Sequence, residues 1–414
     1  MTRFYKALYL ILAVLLLSWA LPWLNSLIIP QRGYTPFTLY SEVLQDFVSL
    51  DAGEGNEIKY YDRRGKYYTE NQFDSLLPSF YYRQLAVDNR LPDSIMGRPI
   101  TADLLREKGF MFRSRPMEIN SNSVPLYPLL ESKPRRVDLE MPDDLFRWTS
   151  HGIEFIDLTS NTIDEEKSAL FQDALDNAKV HFPIKHTAGN PTNRKSYDEG
   201  YFFVDADDQL FHLKQVDAAP YVRRIDHPKG IVFEHIFVTE YDARETFAFL
   251  FDKEGYFYLL SAPDYGIIKT GLPPIDLKKD ELTIFGNDFF WTTLRRDAKG
   301  TTYEALERKS MKSVATHTFP KKPELQEKVA QYSFPWQLSF TSIKHTYFRP
   351  SLKAFSFNAL PLGLCLAVLY SALFYKREER QALTIKSVLI LLAGLFAFIP
   401  FLILPRSKKI PSGR

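Results

Sequence analysis

Eight histidines are the first side chains to test for metal binding or proton transfer: His151, His181, His186, His212, His227, His235, His317 and His345. The closest pairs are His181/His186 and His227/His235. Neither has HExxH spacing, and the only cysteine, Cys365, lies in an apolar segment, so no Cys/His zinc set can form. The histidines therefore read as scattered structural or surface groups, and no metal is expected. Asp205, Asp207 and Asp208 suggest calcium at first sight. They lack the glycine and the distal glutamate of an EF-hand loop, so a tight polar turn is the better reading. GxSxG, P-loop, GxGxxG and CxxC patterns are absent from the sequence, and no cofactor is expected. Carboxylates are plentiful, but closeness in sequence does not define a catalytic pair, so the catalytic residues are unknown at this level. Arg223-Arg224 and Lys133-Pro134-Arg135-Arg136 read as solvated surface, with anion or phospholipid contact as the sharper alternative. Phe80-Tyr81-Tyr82 reads as packing before ligand stacking.

The elements that would position such groups are hairpins. An aromatic or β-branched run, a short polar turn and a second such run recur as YYDRRGKYY at 60–68, FFVDADDQLF at 202–211, FLFDKEGYFY at 249–258 and TTLRRDAKGTTY at 292–303. Aspartate opens each turn by accepting from nearby backbone, and glycine takes the positive φ that closes it, with Asp208 in the glycine place of one copy. The turn aspartates are Asp62, Asp205, Asp252 and Asp297, the last three spaced 47 and 45 residues apart. Weaker copies lie at 106–112 and 155–160. A period near 45 with a hairpin per unit predicts a mainly β fold, a β-propeller of about six blades with 334–340 as its closing strand. A β-sandwich, or a pair of β-domains, is the competing arrangement. High aromatic content (33 Phe, 23 Tyr) and more Pro (26) than Gly (18) agree with strands and turns. Helical insertions are expected at 40–50, 70–87, 101–107 and 164–179, and a polar loop at 185–197.

Three apolar segments occupy only the ends of the 414 residues: 4–29, 355–375 and 387–404. Each is long enough to cross a bilayer as a helix. The expected organisation is an N-terminal anchor (1–30), a β-rich domain (31–350), a transmembrane hairpin (351–405) and a basic tail (406–414). A cleaved signal peptide competes for the first segment, with Ser18-Trp19-Ala20 as the cleavage site. Arg3 and Lys6 lie at the start of that segment and only Arg32 closely follows it. Lys376, Arg377, Arg380 and Lys386 fill the connection between the other two. Both patterns put the large domain outside the cytoplasm, whereas Arg406, Lys408, Lys409 and Arg414 argue the other way. The segments carry no charge at their centres, which disfavours a transporter acting alone. Gly363, Ala367 and Ser371 form a small-residue stripe that packs either within the hairpin or on a partner's helix. The net charge of +2 gives no basic field for nucleic acid.

Four stretches resemble an uncharacterised family of bacterial membrane proteins, a domain of unknown function with the same layout of anchors. They are FTLYSEV at 37–43, LLPSFYYRQL at 76–85, LPDSIMGRPI at 91–100 and YDEGYFFVD at 197–205. The resemblance implies an envelope protein of a Gram-negative bacterium, often encoded near ABC-type transporter subunits. It brings no known catalytic residues.

Two functional readings follow. The first is a membrane-anchored extracytoplasmic accessory or binding protein, associated with an ABC-type transport system and held in the inner membrane with its large domain in the periplasm. The second is a membrane-anchored extracytoplasmic hydrolase that works from a propeller pocket. Fold alone does not choose between them.

Overall fold

The computed structural model describes residues 3–29, 35–52, 58–133, 139–321, 325–342, 346–353 and 355–403. Arg32, Arg135, Arg136, His345 and the basic tail lie outside the described residues. The chain divides into two compact units, Thr35–Phe319 and a helical unit of Met1–Tyr34 with Pro320–Arg414.

The first unit is mainly β and contains five meander sheets in chain order. The first sheet is Phe37–Ser41, Asp46–Asp51, Lys59–Asp62 and Tyr67–Tyr68. The second is Asp144–Trp148, Ile153–Asp157 and Thr162–Asp164. The third is His186–Gly189, Tyr201–Val204, Leu210–Val216 and Ala219–Ile225. The fourth is Phe233–Val238, Thr246–Asp252, Phe257–Ser261 and Ile267–Lys269. The fifth is Glu281–Gly286, Phe290–Asp297, Gly300–Glu307 and Ser313–Pro320, and the earlier strand Phe110–Ser114 pairs with Glu281–Gly286.

Successive side chains of a strand point to opposite faces, and here both faces of the inner sheets are apolar. Tyr201, Phe203, Phe211 and Leu213 of the third sheet pack on Phe146 and Phe155 of the second. The alternate residues Phe202, Val204 and Leu210 pack on Ala248, Leu250 and Leu260 of the fourth. Phe249, Phe251, Phe257 and Leu259 then meet Leu282, Ile284 and Trp291 of the fifth. Phe290, Tyr303 and Ala305 meet Tyr40 and Phe47 of the first. The first sheet turns Leu39 and Val48 to the helix Glu70–Leu76 through Phe73 and Leu76. The stacking order is therefore second, third, fourth, fifth, first. Among the described residues no core cluster joins the first sheet to the second, where a closed ring would need one. The second sheet instead carries the part-exposed pair Arg147–Glu154 at 2.7 Å.

Several expectations are corrected. Among the described residues there are five meander sheets, against the expected about six, and no closed sheet. Residues 334–340 close no ring: Phe334 belongs to the apolar core of the helical unit, and Leu338–Ser339 pairs with Ser351–Leu352. The expected helix at 40–50 is a hairpin, because Leu39, Tyr40, Phe47 and Val48 are all buried on two opposite faces, which a single helical stripe cannot provide. The helix at 70–87 is two, Glu70–Leu76 and Tyr82–Val87, separated by a segment that includes Pro78. The polar loop at 185–197 begins with the strand His186–Gly189. The expected helices at 101–107 and 164–179 are present as Ala102–Lys108 and Glu165–Asn177. Their caps are Thr101, accepting from the Leu104 N–H, and Asp164, accepting from the Lys167 N–H.

The turn aspartates behave as the sequence implies locally. Oδ1 of Asp205 accepts from the N–H groups of Asp207 and Gln209, both at 2.9 Å, and Asp208 takes the left-handed φ of +62°. Asp157, Asp205, Asp252 and Asp297 all join the second strand to the third in four consecutive sheets. Asp62 does not: it joins the third strand to the fourth. Its turn is nevertheless built like that of Asp252, since each Oδ2 accepts from a tyrosine six residues on (Tyr68 at 2.9 Å, Tyr258 at 2.8 Å). The weak copy at 106–112 is no hairpin but a helix end leading into Phe110–Ser114.

Among the described residues of the helical unit, two helices are long and apolar enough to cross a membrane, Phe4–Ile28 and Phe357–Phe374. The third segment is not one helix. It divides into Arg380–Ala393 and Leu395–Ile403 at Gly394, whose φ of +56° ends the first piece. Lys386 lies inside Arg380–Ala393 and pairs with buried Glu378 at 2.7 Å, rather than sitting in the connection. The small-residue stripe is used within the chain. A Cβ on Gly363 would lie 2.3 Å from the Leu391 carbonyl oxygen, and Ser371 Oγ meets Ser387 Oγ at 2.8 Å.

Candidate functional site

The connections between first and second strands gather polar groups at one end of the sheets. Residues 42–45, 190–200, 239–245 and 287–289 supply these connections in the first, third, fourth and fifth sheets. A meander returns every odd connection to the same end, so groups remote in sequence meet here.

Three polar clusters result. In the first, Lys195 Nζ reaches Asp198 Oδ1 at 2.5 Å and Glu240 Oε2 at 2.6 Å, with all three side chains buried. Glu240 also accepts from Asn190 Nδ2 (2.6 Å) and the Glu199 N–H (2.8 Å). In the second, Glu42 Oε1 accepts from Asn287 Nδ2 at 2.8 Å. Burial pushes the Glu42 carboxyl up to about 7. Neighbouring Asp288 is held by the Arg98 guanidinium.

The third cluster borders a cavity of about 30 Å³ whose walls include Lys108, Phe110, Tyr241, Glu245, Trp291 and Arg308. Glu245 bridges Lys108 Nζ at 2.6 Å and Arg308 at 2.8 Å. Partial burial alone would raise the Glu245 carboxyl, but hydrogen bonds from Lys108 and Arg308 outweigh it and hold the group below the usual range. The bond to Glu245 in turn raises Lys108. Phe110 stacks on Tyr241 with centroids 4.5 Å apart and meets Trp291 edge-on at 4.9 Å. The Trp291 Nε1–H is buried without a hydrogen-bond partner.

The histidines do not converge here. His212 is fully buried against Phe202, bonded through Nδ1 to the Tyr265 hydroxyl at 2.8 Å and through Nε2 to the Glu199 carbonyl. Burial lowers it to about 3, so it stays neutral. His181 pairs with Asp207, His227 reaches the Asp208 carbonyl, and His317 packs on Phe47. His186 and His235 lie on the first strands of the third and fourth sheets, each lowered mainly by burial. Among the described residues no group of three His, Cys, Asp or Glu could hold a metal ion. Arg223 lies over the Tyr265 ring, Arg224 bonds Gln209 and Lys133 pairs with Asp217. Phe80 packs on Phe37 and Phe285.

Sequence reading missed Lys108, Glu245, Trp291, Arg308 and the Lys195 cluster. Lys108 and Glu245 are 137 residues apart, and Arg308 and Glu245 are 63 apart. The one local signal was the dense charge of EYDARE at 240–245.

A search of curated proteins found no match. Among solved structures, one similar chain is PorZ, a surface component of the type-IX secretion system of Porphyromonas gingivalis, at 13% identity and a TM-score of 0.22. That likeness covers 70% of this chain and only 28% of PorZ. Another is the β-propeller domain of Cps50 (Swd1) from Myceliophteria thermophila, at 8% identity and a TM-score of 0.24, covering 70% of this chain and 88% of that one. A third is the dihydro-heme d1 dehydrogenase NirN, at 8% identity and a TM-score of 0.22, covering 66% and 70%. Likenesses this distant carry no inference about fold or function. The family described as "Domain of unknown function (DUF4857)" matches residues 37–306, and the chain belongs to it.

Proposed function

We propose that this chain is a membrane-anchored, non-enzymatic accessory protein of the bacterial inner membrane, whose β-rich unit lies on the periplasmic side and binds a partner protein or solute. We propose further that its five meander sheets are the blades of an open propeller. The observation that carries the binding reading is the state of the charged groups around the cavity. Glu245 is held by two cations and Asp288 by Arg98, so neither is a free general base or nucleophile. Glu42, the carboxyl whose proton affinity would suit acid–base work, is sealed in the interior behind Asn287 and does not itself line the cavity. That weakens the hydrolase reading. The two long apolar helices support membrane attachment, and Arg3 and Lys6 at the start of the first support the periplasmic side. The association with an ABC-type transporter rests on the family resemblance alone.

Purification of the full chain from native membranes should bring ABC-type transporter subunits with it. Recovery of the chain alone from extracts that preserve known membrane complexes would defeat the accessory reading. A reporter active only in the cytoplasm, fused near Gly300, should be silent, and strong activity would reverse the orientation.

A further inference from the structure

The cations at the cavity are more deeply set than the carboxylate that joins them. The Lys108 side chain is 17% exposed and that of Arg308 24%, whereas Glu245 is 42% exposed. Lys108 ends the helix Ala102–Lys108 and Arg308 follows the strand Gly300–Glu307, so both are fixed by regular elements. Glu245 comes from the connection 239–245, beside Arg244 with a φ of +48°. Two half-buried cations side by side repel, and each loses hydration, so the site needs an anion. Glu107, 3.4 Å from Lys108, neutralises only part of that charge, and Asp288 is engaged with Arg98. Trp291, 2% exposed, lines the same cavity and carries an unpartnered indole N–H. A buried donor left unpaired is costly, and a carboxylate oxygen would satisfy it.

We propose that this cavity is a carboxylate-binding site, in which Lys108, Arg308 and the Trp291 indole N–H receive the carboxylate of a ligand and Glu245 is the chain's own occupant of that position. The cavity admits a carboxylate and little more. The ligand inserts only this group, and the remainder stays on the surface formed by Phe110 and Tyr241. A tethered carboxylate competes at high effective concentration, so an outside ligand binds only if it adds contacts or if Glu245 is withdrawn. The inference rests on reading this unit as a binding domain. It names the chemistry bound and fails on its own terms if that chemistry is wrong.

The test uses the full chain in detergent with fluorine-labelled tryptophan. Five tryptophans give five fluorine signals, that of Trp291 being identified by its loss in Trp291→Phe. Acetate should move the Trp291 signal saturably and leave that of Trp148 in place. Glu245→Gln should lower the acetate midpoint about tenfold, the factor expected when two partly exposed charge pairs no longer compete. Lys108→Ala with Arg308→Ala should abolish the response while Trp148 keeps its native signal, which shows that the fold survives. A short peptide with a free C-terminal carboxylate, compared with its amide, separates the sources. A midpoint far below that of acetate assigns the site to a protein partner, and equal midpoints assign it to small organic acids. A Trp291 signal that acetate does not move in Glu245→Gln overturns the proposal, and so does an equal response to chloride. Neither result depends on which proteins co-purify with the chain.

Discussion

Glu42→Gln should stabilise the β-rich unit at alkaline pH and leave it unchanged in acid. Glu42 sits in the turn between Phe37–Ser41 and Asp46–Asp51, with 2% of its surface exposed. The groups that face it, Asn287 and Ser79, are uncharged, so no cation offsets the cost of burying its anion. Burial raises the carboxyl from 4.5 to about 7. Between these values the folded chain holds a proton that the unfolded chain has released, so stability falls as pH rises through that window. Above about 7 both states are ionised and the loss is constant. At about 1.4 kcal/mol per pH unit, the full effect is on the order of 3 kcal/mol. Glutamine keeps an oxygen for Asn287 and has no charge to bury. The variant should therefore match wild type near pH 4.5 and melt roughly 6 °C higher at pH 8. The assay is thermal unfolding followed by circular dichroism across that range in both proteins. Other carboxylates contribute the same slope to each, so the difference isolates Glu42. Parallel stability curves from pH 5 to 8 would refute the argument that this carboxyl is buried uncompensated.

Two further outcomes follow from the packing. Lys195→Met leaves Asp198 and Glu240 buried without their cation, and should cost about 3–5 kcal/mol in chemical denaturation; a loss below about 1 kcal/mol would mean that water already serves these carboxylates. Gly363→Leu drives a side chain into the Leu391 carbonyl. It should abolish short-linker cross-linking of Ser371→Cys to Ser387→Cys, which wild-type packing favours because the two hydroxyls lie 2.8 Å apart.

What a short stretch of chain decides for itself was legible in the sequence. The Asp205 and Asp252 turns are closed by backbone donors within four residues, and the caps at Thr101 and Asp164 by donors within three. The apolar end segments and the mainly β character follow in the same way from composition over a few turns of chain. Local chemistry is blind to which strands a turn connects, and this is why Asp62 looked equivalent to Asp252 and is not. The hairpin at 37–51 was misread because its two buried faces are defined by the fifth sheet and by the helix Glu70–Leu76, which come from elsewhere in the chain. Sheet number and stacking order depended on the same distant partners, and on Phe110–Ser114 pairing across more than 160 residues with Glu281–Gly286. The candidate site belongs wholly to this second class. Nothing near Lys108 in sequence announces Glu245 or Arg308, because a charge pair has no local periodicity; only the stacking of three separate elements brings one carboxylate between two cations.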